Sequence, residues 1–320
     1  MGKTQGLVHM ATQKKSPPNP SDEVATSRVE KKSVRTPAYA AMHAARYRRQ
    51  ELIRTIDEKA RTQLICYVGG LRTLVSRDDV VYMADLLHTL APEKDVDLLL
   101  HTPGGDMDVA EKLVSMLRDR VGSARLRIVV PDFAKSAGTL MVLGADRVVM
   151  SDSSELGPID PQVVTEDEQG SMVTPIQSYL DAYEACAESV NSRPTDLAAR
   201  IMFEKFDPTK VQHFKAAMGR ARKLAENLLV KGMFRAPNVG NYTQVTTNLL
   251  DTKRWQSHSQ MIGHADAHDL GLFVDYLPPE DPLWQLYWQL YCSQRIEIQE
   301  KHKLFESNYV SLCVEEGAPS

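Results

Sequence analysis

The sequence contains Leu98-Leu99-Leu100-His101-Thr102-Pro103-Gly104-Gly105-Asp106 and, further on, Ile128-Val129-Val130-Pro131-Asp132-Phe133-Ala134-Lys135-Ser136-Ala137-Gly138-Thr139. Each stretch is an apolar run that stops at small, turn-forming residues and gives way to helical periodicity. Residues 97–101 read as a strand and 108–121 as a helix, with Val109, Leu113, Met116, Leu117 and Val121 on one stripe. Residues 126–130 read as a strand, 137–144 as a helix and 147–150 as a strand. Upstream, 64–68 reads as a strand ended by Gly69-Gly70, and 80–90 as a helix with Val81, Ala84, Leu87 and Leu90 on one face. This alternation predicts an α/β protein with a parallel sheet and crossover helices. Strands apolar at consecutive positions predict a sheet covered on both faces. Strand-to-helix loops of such a sheet open at one edge, so the Gly104-Gly105 turn and Ser136 are expected across a common crevice.

The residue types there suit acyl transfer. Paired glycines leave main-chain N–H groups uncovered, which a developing oxyanion requires. Ser136 stands among small residues before an apolar helix, a setting for a serine nucleophile. Each feature alone has a plainer reading, a tight turn for the glycines and a helix cap for the serine; their expected proximity favours the chemical one.

The run from Leu98 to Gln162, with H-T-P-G-G-D at 101–106, A-K-S-A-G-T at 134–139 and S-E-L-G-P-I-D-P-Q at 154–162, resembles the serine dehydrogenase proteinase family. That family is related to signal-peptide peptidases and the Clp proteolytic subunit, within the ClpP/crotonase superfamily. The resemblance extends from about residue 50 through the helix at 284–291 and includes S-H-S-Q-M-I at 257–262. It implies a ClpP/crotonase-like β/α spiral, assembly into a homo-oligomer, and a serine-type endopeptidase acting on peptide or protein substrates. It further implies Ser136 as nucleophile, with the N–H groups of Gly105 and Ala137 as oxyanion hole.

The pattern breaks at the general base. Where the Clp subunit carries a histidine, this chain reads Gly157-Pro158-Ile159-Asp160; where related archaeal peptidases carry a lysine, the stretch 177–186 has none. Two candidates remain. Lys223 lies in a long helix expected over 211–231, where an apolar face would desolvate it and lower its pKa; a solvated lysine is the alternative. His258 has a side chain suited to general-base work, and a surface histidine is the alternative. Lys135 neighbours Ser136 in sequence and so should point elsewhere. Asp160 either orients a base or ends a turn, and on sequence alone the turn is preferred. The missing base keeps open a catalytically silent assembly or partner-binding protein on the same fold. Acyl-CoA chemistry of the crotonase kind ranks third.

The 320 residues carry a formal net charge of −4, but residues 1–50 hold ten Lys or Arg against three Asp or Glu. Residues 1–37 are expected to be a basic, disordered tail with an acidic protein or nucleic acid as possible partner, 38–300 the catalytic domain, and 301–320 a C-terminal tail. A helix is plausible over 38–58. Four scattered cysteines without C-x-x-C spacing and no secretory signal indicate a cytoplasmic, reduced protein. No apolar run reaches the ~20 residues of a membrane span. His264 and His268 have helical spacing for a metal but no third ligand, and there is no phosphate-binding loop; neither metal nor cofactor is expected. The aromatic run over 283–291 either docks on its own domain or meets another subunit.

Overall fold

The computed structural model describes residues 36–167, 170–236 and 240–317. Two units are distinguished, residues 1–43 and 44–320. In the first, α1 (Pro37–Met42) is described; the basic segment 1–35, with the disorder and partner expected for it, lies outside the described residues. The helix expected over 38–58 is interrupted at His43 and resumes in the second unit as α2 (Ala44–Ala60).

The second unit continues with β1 (Gln63–Gly69), α3 (Asp79–His88), β2 (Val96–His101), α4 (Met107–Val121), β3 (Leu126–Val129), β4 (Phe133–Ala134), α5 (Ala137–Leu143), β5 (Arg147–Met150) and β6 (Glu155–Leu156). A hairpin, β7 (Gln162–Asp167) and β8 (Gly170–Pro175), leads to α6 (Ile176–Ser192), α7 (Leu197–Phe203), α8 (Pro208–Lys231) and α9 (Tyr242–Leu250). Then come α10 (His264–Asp269), β9 (Val274–Tyr276), α11 (Pro282–Glu297), β10 (His302–Glu306) and β11 (Ser311–Glu315).

The main sheet has the order β11-β10-β1-β2-β3-β5-β9. The five strands from β1 to β9 in that order are parallel, and β10 and β11 add antiparallel at the β1 side. Alternation along β2 shows the two covered faces. Leu98 and Leu100 join the core with α3, α4, α5 and α8, whereas Leu99 joins the core with α2 and α11. The fold is therefore α/β, a mostly parallel sheet flanked by helices, as the strand-helix alternation predicts.

Two expectations are corrected. Residues 301–320, read as a tail, supply β10 and β11: Leu304 and Phe305 are fully buried, and β10 registers on β1 with Cys66 opposite Glu306. The segment looks hydrophilic because its charges are internal. Glu306 receives Arg49 from α2, Gln294 from α11 and Ser311, and Lys303 pairs with Asp79. The face of α3 also differs: Val81 is exposed, and Met83, Leu86 and Leu87 are buried. The aromatic run docks on its own domain, burying Trp284, Tyr287, Leu290 and Tyr291. Its hydroxyls reach through the layer, Tyr287 to Asp97 and Tyr291 to Asp132, each at 2.6 Å.

Asp57 on α2 yields a pH prediction. It accepts hydrogen bonds from Leu64 N–H (2.7 Å) and Asn308 Nδ2 (3.0 Å). Burial nevertheless outweighs those bonds and pushes its carboxyl from 3.8 up to about 6. The folded protein thus holds this proton to higher pH than the unfolded chain, so the group's stabilising contribution is lost as pH rises from about 4 to about 6. In urea titrations, the stability of the wild type relative to Asp57→Asn should fall across that window and be level above it. A difference that rises with pH would contradict the assignment.

Candidate active site

Ser136 occupies the turn between β4 and α5 with φ 52° and ψ −112°. A residue bearing a Cβ is strained there, at a cost of about 1–3 kcal/mol. It stands at the N-cap position, yet its side chain makes no capping bond, and its hydroxyl makes no hydrogen bond among the described residues. The side chain is half-buried, and α5 behind it is buried throughout. The capping explanation of this serine is thereby removed.

The glycine turn converges on it. Gly104 (φ 112°) lies so close that an added Cβ would stand 2.8 Å from Ser136 Cβ and 3.4 Å from Ala137 N. Only glycine fits that contact. Gly105 (φ 145°) is equally constrained from the other side, where a Cβ would meet Val75 N at 2.4 Å. Val75 N–H donates to Gly104 C=O (2.7 Å), and Asp106 N–H donates to Val75 C=O (2.9 Å). Because the Gly104–Gly105 peptide is trans, its N–H points opposite to its C=O. The Gly105 N–H therefore faces away from Val75. Neither the Gly105 nor the Ala137 N–H makes a hydrogen bond among the described residues. Asp106 fixes the far end by capping α4 through Asp108 N and Val109 N.

A further segment is brought alongside. β6 pairs with β4, and Leu156 forms an antiparallel bridge with Ile262, so residues 257–262 run beside the serine turn. Lys135 Nζ points away from Ser136, to Glu155 (2.7 Å), Leu156 C=O (3.0 Å) and Gln260 C=O (3.4 Å). A Cβ on Gly157 would lie 2.8 Å from Lys135 Cδ and 3.7 Å from His258 C=O. The main chain at His258 thus lies beside Gly157, which itself packs on Lys135. The Nδ1 of His258 lies 2.8 Å from Asp160 Oδ1, with the imidazole 20% and the carboxylate 3% exposed. A carboxylate only accepts, so Nδ1 is the donor in this contact, and in the neutral imidazole the lone pair is then on Nε2. Asp160 Oδ2 is buried without a partner among the described residues. Asp160 thus has the contact expected of the base-orienting alternative, which sequence reasoning named but ranked below a turn end.

Lys223 is not brought to this site. It is exposed on α8, with no ion pair or hydrogen bond among the described residues, and so lacks the desolvation a lysine base requires. Also unforeseen is the support beneath both loops. His101 Nδ1 lies 2.8 Å from Gly69 C=O, and its Nε2 lies 3.3 Å from Asp132. Burial alone would raise the Asp132 carboxyl, but His101 and Tyr291 hold it below its usual range. No group of three or more His, Cys, Asp or Glu among the described residues is arranged to hold a metal; His264 stacks on Tyr276 at 4.3 Å. No described helix is long and apolar enough to cross a membrane. A cavity of about 740 Å³ between α4 and α8 is lined by none of these catalytic candidates.

This region of the fold presents a half-buried hydroxyl on a strained turn, two amides without hydrogen-bond partners among the described residues, and a histidine–carboxylate pair. The chain belongs to the ClpP-like SDH-type serine proteinases, the family whose sequence profile matches residues 34–228. Two uncharacterised proteins of Methanocaldococcus jannaschii are each 30% identical to it. One aligns over 199 residues, 62% of this chain and 60% of its own length, and the other over 144 residues, 45% and 46% respectively. The alignments thus span less than two thirds of those relatives. Among solved structures, a mutant of the 1510-N membrane-bound stomatin-specific protease is 15% identical, with a TM-score of 0.28 over 68% of this chain and all of that one. A second mutant, in complex with a substrate peptide, is also 15% identical, with a TM-score of 0.27 over 71% and 98%.

Proposed function

We propose that the protein is a serine peptidase whose Ser136 is activated by His258, itself oriented by Asp160. Ser136 Oγ attacks the peptide carbonyl carbon while His258 Nε2 takes the hydroxyl proton. The carbonyl oxygen becomes an oxyanion held by the Gly105 and Ala137 N–H groups. His258 then returns the proton to the departing amine, the C–N bond breaks, and an acyl-Ser136 remains. Water, deprotonated by the same imidazole, releases the acid and restores the serine. The observation that carries this reading is the convergence of the Gly104-Gly105 peptide on Ser136, beside a segment bearing a histidine with its Nδ1 on a buried carboxylate.

The hydroxyl makes no hydrogen bond to His258, which is what the catalytically silent reading rests on. Such contacts commonly tighten only when substrate binds, so reactivity decides between the two. A fluorophosphonate probe should phosphonylate the folded protein at Ser136, as mapped by peptide mass spectrometry, and a casein or mixed-peptide substrate should be cleaved. No labelling, or labelling elsewhere, would favour the silent assembly role.

A further inference from the structure

The Gly104–Gly105 peptide, whose Gly104 end lies against Ser136, is flanked by hydrogen bonds to Val75, so whatever holds Val75 bears on the oxyanion hole proposed above. Val75 lies in the loop between β1 and α3, and that loop is gripped by the C-terminal hairpin. Gly70 N–H donates to His302 C=O (2.8 Å) and Arg72 N–H to Glu300 C=O (2.9 Å). Lys303 on β10, its side chain only 3% exposed, reaches Leu74 C=O (2.5 Å), Ser76 Oγ (3.0 Å) and Asp79 Oδ1 (2.9 Å). These three oxygens occupy its three N–H donors. Asp79 also receives Tyr67 OH (2.7 Å) and Ser76 N–H (2.8 Å). Glu316, just beyond β11, accepts from Leu74 N–H (2.9 Å). Leu74 therefore has both main-chain groups bonded to the hairpin, although its side chain is 55% exposed and packing does little to hold it.

We propose that Lys303 and Glu316 are positioning residues for the oxyanion hole. They fix Leu74 and Ser76 on either side of Val75, and Val75 fixes the peptide that carries the proposed oxyanion-hole N–H of Gly105. The inference rests on the peptidase reading above, and it concerns a hairpin outside the family match, which ends at residue 228. A buried ion pair adds little to net stability against apolar replacements, but it holds geometry. Displacing a catalytic group by about 1 Å can cost on the order of 100-fold in rate.

The test separates geometry from stability. Lys303→Met alone would strand the Asp79 carboxylate, so the informative variant is Lys303→Met with Asp79→Asn, and Glu316→Ala is the milder companion should the double variant not fold. Folding is checked by thermal unfolding. For the folded double variant, kcat on a peptide substrate and the rate of fluorophosphonate labelling at Ser136 should fall roughly 10- to 100-fold, with KM within about twofold. Glu316→Ala should show a smaller loss of the same kind. Folded variants with unchanged kcat and labelling rate, even at a lower melting temperature, would overturn the positioning role. Hydrolysis persisting in Ser136→Ala is a separate outcome that removes Ser136 as the nucleophile, and this inference with it.

Discussion

Replacing Ser136 by glycine is expected to abolish peptide hydrolysis and yet leave the protein more stable than replacing it by alanine. Both substitutions delete the hydroxyl, and loss of a nucleophile of this type lowers kcat on the order of 10⁶-fold. They differ in the backbone. At φ 52° and ψ −112° alanine keeps the Cβ that makes the turn costly, whereas glycine adopts such angles without that penalty. Glycine also gives the unfolded chain more freedom, which offsets roughly 0.5–1 kcal/mol of the gain. Since the strain is about 1–3 kcal/mol, the glycine variant should unfold at a higher urea midpoint than the alanine variant, its unfolding free energy being larger by about 1 kcal/mol. The reverse order would show that the turn stores no strain at Ser136. Residual hydrolysis in either variant, above contaminant level, would show that another group is the nucleophile. The comparison links the activity to its cost: the fold maintains an unfavourable conformation that exposes this hydroxyl instead of letting it cap α5.

The parts of the molecule legible from sequence are those carried by local pattern. β2, α4, β3 and α5 follow from apolar periodicity bounded by Gly104-Gly105 and Ser136, and parallel topology then brings the two turns to one edge. The base was not legible to the same degree. His258 and Asp160 are far apart in the chain and meet only because β6 bridges Ile262; no spacing rule encodes that contact. Lys223 looked comparable because helical periodicity places it near an apolar face, whereas its side chain ends in solvent. The hairpin was missed for a different reason. Lys303 and Glu306 make residues 302–306 look hydrophilic, and a sequence window cannot know that Asp79 and Arg49 receive those charges inside the protein. Val75 carries no motif, since its role is played by main-chain atoms. Local pattern points to Ser136 and the glycine turn, whereas the His258–Asp160 contact and the hairpin's grip on Leu74 arise only from tertiary pairing.

Asp160→Asn should lower kcat on the order of 10⁴-fold with little change in fold. With Asp160 accepting from Nδ1 of His258, 2.8 Å away, the neutral ring has its lone pair on Nε2, the arrangement the proposed base requires. An asparagine can present its NH₂ to the ring, and a ring that accepts at Nδ1 must carry its proton on Nε2, the wrong tautomer for a base. The substitution nearly preserves volume, so the 3%-exposed site should still pack. Removing the imidazole with His258→Ala should cost at least as much. Because the two residues act as a unit, Asp160→Asn combined with His258→Ala should be no slower than His258→Ala alone, whereas independent contributions would multiply. The measurement is kcat on one peptide substrate for the three variants, with fluorophosphonate labelling rates alongside. Single variants within a few-fold of wild type would remove the histidine–aspartate pair from the reaction and return the search for a base to residues that approach Ser136 only when substrate is bound. Multiplicative losses would instead assign Asp160 a separate electrostatic role, its buried Oδ2, unpartnered among the described residues, then being the group to pursue.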